Sequence, residues 1–215
     1  MGREPKQERA IQTRATILRS AAELFEELGY AGASISKIID RAGVTQGAMY
    51  FHFKSKESLA EAVMNAQSTT IVPRISSQGL QRLVDITMIW SHQLRHDPLL
   101  RAGVRLTTEQ GTFGVHDATP YSEWAAIMAD CLRQSQDRGE LLPGIDPEEA
   151  AHFVVAACTG MQMYSEAACG RADLAERAVS MWRLLLPAIA VPTVVARISV
   201  NPDLYEQSLA QPVSA

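Results

Sequence analysis

Apolar positions recur along this chain at helical rather than strand spacing. Ile11, Ala15, Leu18, Ala22, Phe25 and Leu28 follow one another in steps of three and four, which puts them on one stripe of a helix. Gly29 supplies a stop. Ser34 is placed to cap a short helix carrying Ile35, Ile38 and Ile39, which Gly43 ends. Thr45 is placed to cap a third helix through Tyr50, and Ser55 a fourth from Lys56 to about Thr70, where Pro73 ends or kinks it. The pattern then lengthens. Residues 80–96 are amphipathic, Pro98 opens a helix through Leu106, and 111–120 has loop composition. Pro120 starts a helix that Gly139 closes. Asp146-Pro147 is a cap and first-turn pair for a helix to about Cys169, and 172–190 forms one more. The tail from Pro192 is less regular and frays after Asn201. With no strand alternation, repeat or low-complexity tract, the expected fold is all-α: three short helices in a head, then a larger helical body.

Composition sharpens this picture in two places. At 215 residues and 47% hydrophobic the chain can bury a sizeable core. It has no run of 18 apolar residues, so no membrane span is expected. No apolar segment follows the basic N-terminus, so we read no signal peptide and expect a cytoplasmic protein. Cys131, Cys158 and Cys169 form no CxxC pair and lie in apolar helical runs, which reads as buried thiols in a reducing compartment. The net charge of −4 is unevenly spread. Residues 1–56 hold nine Lys and Arg against six Asp and Glu; residues 57–215 hold eleven against eighteen. A basic head on an acidic body points to a polyanion at the head and sets the expected domains at 1–56 and 57–215.

The stretch "AGVTQGAMYFHFKSKESL" (42–59) crowds rings and polar tips together. Gly43 permits the positive backbone angle of a sharp turn between helices, and Val44 packs that turn on the core. This is helix-turn-helix spacing, in which the second helix enters a DNA major groove. Gly47 and Ala48 allow close approach, Thr45 and Gln46 give polar reach, and Tyr50 and His52 put polar tips towards phosphate. Lys54 and Lys56, at the start of the fourth helix, sit where free N–H groups also attract phosphate. Phe51 and Phe53 are expected to face inward. Arg14, Ser34 and Ser36 complete the candidate DNA contacts. Catalytic signals are weak. "HQLRH" (92–96) spaces two histidines like metal ligands but lacks the Glu of HExxH and a marked third ligand. There is no Walker motif, GxGxxG or GxSxG. We therefore expect no enzyme, no cofactor and no metal site.

Residues 14–59 resemble the DNA-binding domain of TetR-family repressors through Phe25, Gly29-Tyr30, Ser34, Ile38, Ala42-Gly43-Val44, Gly47, Tyr50, Phe53 and Lys56. "QERAIQTRATIL", "GAMYFHFKSKESLAEAV", "RAGVRLTTEQ", "YSEW" and "LLPAIAVP" are similar to the γ-butyrolactone receptor subfamily of antibiotic-producing actinomycetes. The resemblance implies a homodimer on a palindromic double-stranded DNA operator. It implies release by a small diffusible signal (a γ-butyrolactone, butenolide or furan) and control of antibiotic-production genes. Pseudo-receptors of the same fold answer to antibiotics instead, and that alternative stays open. One position departs: the subfamily usually carries Lys where this chain has Gln46, and Gln favours adenine where Lys favours guanine. Trp124 matches the subfamily's pocket tryptophan, Gln67 a residue near the pocket mouth, and Thr159 a residue in the matching helix. Leu83, Ile86, Trp90, Val155 and Met163 are candidate lining residues at helical spacing. The 147–169 and 172–187 helices are apolar on several faces, so Phe153, Ala157, Met161, Tyr164, Val179, Trp182 and Leu186 are candidates for a four-helix dimer interface.

Overall fold

A computed structural model describes residues 4–66 and 75–201. Among them the ordered elements are helices: α1 (Glu4–Gly32), α2 (Ile35–Ala42), α3 (Gln46–His52), α4 (Lys56–Met64), α5 (Gly79–His96), α6 (Pro98–Glu109), α7 (Thr119–Asp137), α8 (Pro147–Cys169), α9 (Leu174–Ile189) and the single turn α10 (Pro192–Val195). A 3-10 turn, Gln110–Phe113, follows α6. The all-α expectation holds. The described residues fall into two compact units, 4–66 with 97–120 and 75–96 with 121–201.

In the first unit, α1, α4 and α6 bury Ile17, Ala21, Leu24, Phe25, Met49, Phe53, Leu59, Val63 and Leu106. The α1 stripe matches the expected one at Leu18, Ala22 and Phe25 and departs from it elsewhere. Ile17, Ala21 and Leu24 are core, whereas Ile11, Ala15 and Leu28 are exposed. Two overlapping apolar stripes run along this helix, and periodicity alone does not say which meets α4 and α6. Gly29 breaks α1 with φ 69°. A Cβ there would lie 2.9 Å from Arg105 Nη2. Arg105 donates to the Glu26 carbonyl and to Glu109, and Arg101 pairs with Glu26. The end of α1 is thus closed by the side chains of α6 instead of by its own next turn.

The short helices are cap-defined. Ser34 Oγ accepts from Lys37 N–H, Thr45 Oγ1 from Ala48 N–H, and Ser55 and Ser58 form a reciprocal capping box. Each such cap contributes about 1 kcal/mol. Gly43 closes α2 at φ 63°, the left-handed geometry that glycine adopts without strain. The fourth helix ends at Met64 with Asn65 as its C-cap, earlier than expected; Thr70 and Pro73 lie outside the described residues.

The second unit is centred on Trp182 of α9, which is 0% exposed. Its indole N–H donates to Thr87 Oγ1 of α5 at 2.6 Å. Asp146 caps α8 through Glu148 and Glu149 N–H. Leu80 N–H at the start of α5 donates to Ser135 Oγ of α7 at 2.7 Å. Cys131 and Cys158 are buried, and desolvation pushes their thiols up to about 11 and about 12. Cys169 is exposed, contrary to expectation. It sits at the last turn of α8, where the helix has already left the core.

Candidate functional site

The α2–turn–α3 segment is held rigidly on α1. Arg41 at the end of α2 makes two bonds to the Glu27 carboxylate, at 2.7 and 2.9 Å. Met49 and Phe53 anchor α3 from beneath. What remains outward is its N-terminal turn, with Thr45, Gln46 and Gly47 all exposed, followed by Tyr50 and Phe51. A Cβ at Gly47 would touch nothing closer than Thr45 Oγ1 at 4.0 Å, so this glycine leaves free space on the outer side of the helix.

Phe51 corrects an expectation. It is 80% exposed, edge-on to His52 at 5.0 Å between ring centroids. The reason is register. Met49 and Phe53 are four residues apart and claim the inner face, so Phe51 between them must point out. An exposed phenyl ring beside this turn can meet a thymine methyl in the major groove.

The other expected DNA contacts divide. Arg14 and Lys54 are exposed, and the Arg14 guanidinium stands 5.0 Å over the Phe53 ring. Ser36 Oγ lies 3.0 Å from Ser34 Oγ, which itself caps α2. Lys56 is half-buried, with Nζ 4.1 Å over the Tyr30 ring. Burial holds its pKa below the usual lysine value, against the pull of Glu57. Tyr30 stacks on Phe25 and Phe113 and donates its hydroxyl to Glu57 at 2.8 Å. Burial first, then that bond, pushes its phenol above the ordinary range. Sequence reading missed this Tyr30–Lys56–Glu57 stack, because its partners come from different helices with no shared spacing.

For the ligand site, Leu83, Ile86, Trp90 and Trp124 are buried within the second unit. Val155 and Thr159 are half-buried. The Thr159 hydroxyl already donates to Val155 O at 2.9 Å, which leaves only its lone pairs for a ligand. Met163 is exposed on α8 and belongs to a surface, not to a lining. Gln67 lies outside the described residues. A polar cleft of about 450 Å³ opens elsewhere in the unit, lined by Gln78, Gln81, Arg138, Glu140, Arg197 and Ile198. Burial acts to raise the Glu140 carboxyl, but bonds from Ser135 and Arg138 outweigh it and hold the group below its usual value. None of the expected lining residues borders this cleft.

The interface candidates also divide. Val179, Trp182 and Leu186 are buried in their own unit, so they carry no surface to a partner. Trp182 faces α5, where its indole N–H meets Thr87. Phe153 and Tyr164 are exposed, and Ala157 and Met161 half-exposed. With Ala156, Gly160 and Met163 they form one apolar stripe down α8, and Leu184 of α9 is also exposed, at 80%. Tyr164 is braced by Arg177, whose guanidinium lies 4.2 Å over the ring.

Residues 17–63 match the bacterial regulatory proteins of the tetR family, and residues 77–192 match the tetracyclin repressor-like C-terminal domain. The A-factor receptor protein of Streptomyces griseus is 46% identical over 195 residues, spanning 90% of this chain and 69% of that protein. The crystal structure of full-length native TylP, a TetR regulator from Streptomyces fradiae, superposes with a TM-score of 0.87 at 40% identity over 94% of this chain and 97% of that one. A γ-butyrolactone receptor, an ArpA-like protein, superposes at 0.69 with 31% identity over 92% of this chain and 98% of that one. Among the described residues no helix is long and apolar enough to cross a membrane.

Proposed function

The chain belongs to the TetR family of bacterial regulatory proteins, and from that premise we propose that it is a dimeric repressor released from its operator by a γ-butyrolactone-type signal. The observation that supports the DNA half is the exposed N-terminal turn of α3 with Phe51 beside it, on a scaffold held from beneath by Met49 and Phe53. The ligand half is supported by the similarity to the A-factor receptor along 90% of the chain and to a γ-butyrolactone receptor structure. On this reading Gln46 and Gly47 meet base edges, Phe51 meets thymine methyls, and Tyr50, His52, Arg14 and Lys54 meet phosphates. Lys56 braces the head through Tyr30. Trp124, Trp90, Ile86 and Leu83 line the signal's cavity. The genes controlled are those of antibiotic production.

Two expected results test the DNA half. Anisotropy titration of the protein against DNA from its own promoter should give tight binding that weakens linearly with log salt; salt-insensitive binding, or none, contradicts the reading. Gln46→Lys should then steepen the salt slope by about one phosphate equivalent if the new charge reaches the backbone. It should also move preference from adenine towards guanine at one pair per half-site, by about 1–3 kcal/mol. Unchanged preference and slope would remove Gln46 from the contact set.

The α8–α9 stripe supports the dimer. Leu184→Glu places a charge on a face that the proposal buries, and removing such an anchor costs roughly 2 kcal/mol or more. Sedimentation should show the dissociation constant of the dimer rising at least ~30-fold, with operator affinity falling alongside. A variant that remains as dimeric as the parent rules this face out.

A further inference from the structure

Residues 57–215 are acidic, with eleven Lys and Arg against eighteen Asp and Glu. The polar cleft of about 450 Å³ in the second unit runs against that trend. Gln78 and Gln81 line it from the start of α5, Arg138 and Glu140 from just past α7, and Arg197 and Ile198 from just past α10. Two arginines there meet one carboxylate, so the lining keeps one positive charge that its own residues do not balance.

The three walls are tied to one another. Ser135 of α7 is fully buried; its Oγ accepts from Leu80 N–H at 2.7 Å and donates to Glu140 Oε2 at 2.8 Å. The Gln81 amide bonds both backbone groups of Ser199, at 2.9 and 3.0 Å. Glu140 Oε1 accepts from Arg138 Nε at 3.2 Å and from Arg197 Nη2 at 2.5 Å. Gly79, at φ 55°, makes room for this arrangement, since a Cβ there would lie 1.7 Å from Arg138 Nη2. The guanidinium is therefore seated against bare backbone. A cleft braced in this way is preformed, and its volume is that of a small-molecule site.

The donors left over indicate what it takes. Glu140 uses Nε and Nη2 of Arg138 and Nη2 of Arg197. Among the described residues Arg138 Nη1, Arg197 Nε and Arg197 Nη1 make no hydrogen bond, and neither does the exposed Gln78 amide. A guanidinium edge matches the two oxygens of a carboxylate. An open amide both donates and accepts, which suits a hydroxyl. Ile198 is the one apolar side chain in the lining, so the occupant is polar throughout. We propose that this cleft binds a small hydroxylated carboxylic acid of single negative charge. The site shares no residue with the apolar cavity assigned to the signal, and the inference does not rest on the lactone reading.

The test uses the full-length protein and three probes at fixed ionic strength: gluconate, the uncharged polyol sorbitol, and inorganic phosphate. Affinity is read by titration calorimetry. Gluconate should bind at least about tenfold tighter than sorbitol, the size of one hydrogen bond to a charged group, and tighter than phosphate. Arg197→Gln should erase the preference over sorbitol. Arg197→Lys, which keeps the charge without the fork, should fall between that variant and the parent. The Arg197 side chain is 62% exposed, so the thermal midpoint of both variants should stay at the parent's value. Gluconate binding no tighter than sorbitol, or unchanged in Arg197→Gln, overturns the site. Phosphate binding tighter than gluconate overturns the ligand class.

Discussion

Trp182→Ala should destabilise the second unit by about 3–5 kcal/mol, the largest stability loss expected from a single change in this chain. The indole is fully buried between α9 and α5 and its N–H is bonded to Thr87 Oγ1. Truncating a buried Trp costs about 3–5 kcal/mol through lost burial and the cavity left behind. Thr87 loses a donor but keeps its own bond to Val84 O, which limits the further cost. Natural domains have only about 5–15 kcal/mol to lose. Urea unfolding followed by far-ultraviolet circular dichroism should show the loss as a fall in midpoint at unchanged slope. A loss below about 1 kcal/mol would mean that the α5–α9 seam is held by something other than this residue.

Trp124→Ala is expected to separate DNA binding from signal response. Trp124 is buried near the start of α7, outside the unit that carries α2 and α3, so the DNA-contacting turn should be unaffected and operator affinity should stay within about threefold. If the ring stacks on the lactone, its loss removes a hot-spot contact of roughly 2 kcal/mol or more, and the dose that releases DNA should rise at least ~30-fold. Some loss of thermal stability should accompany it, as for any buried aromatic. A release dose unchanged from the parent's would show the ring to be ordinary core.

The parts of the fold legible in the sequence are those with a local cause. Ser34, Thr45, Ser55 and Asp146 cap helices where their spacing to the next apolar run says they should, because a cap needs only about four consecutive residues. Gly43 closes α2 for the same kind of reason. What was not legible depended on which of two apolar faces finds a partner. The buried face of α1 keeps Ala22 and Phe25 of the expected stripe but runs on through Ile17, Ala21 and Leu24 rather than Ile11 and Ala15. On α9, Trp182 turns into its own unit and Leu184 turns out. Phe51 was misread because hydrophobicity alone places a phenylalanine inside, whereas the register set by Met49 and Phe53 places it outside. Gln93 gave no signal at all. One glutamine in an amphipathic helix is unremarkable until its environment shows that, among the described residues, nothing meets its carbonyl.

The central claim is that signal binding and operator binding exclude one another in one dimeric chain. A ligand shifts such an equilibrium only by its differential affinity for the two states. The direct measurement is therefore a titration of the preformed protein–operator complex with a γ-butyrolactone, read by fluorescence anisotropy of labelled DNA. Complete, saturable release is expected, and by reciprocity the operator must weaken lactone binding by the same factor by which the lactone weakens operator binding. A complex that binds the lactone and keeps its DNA would contradict it.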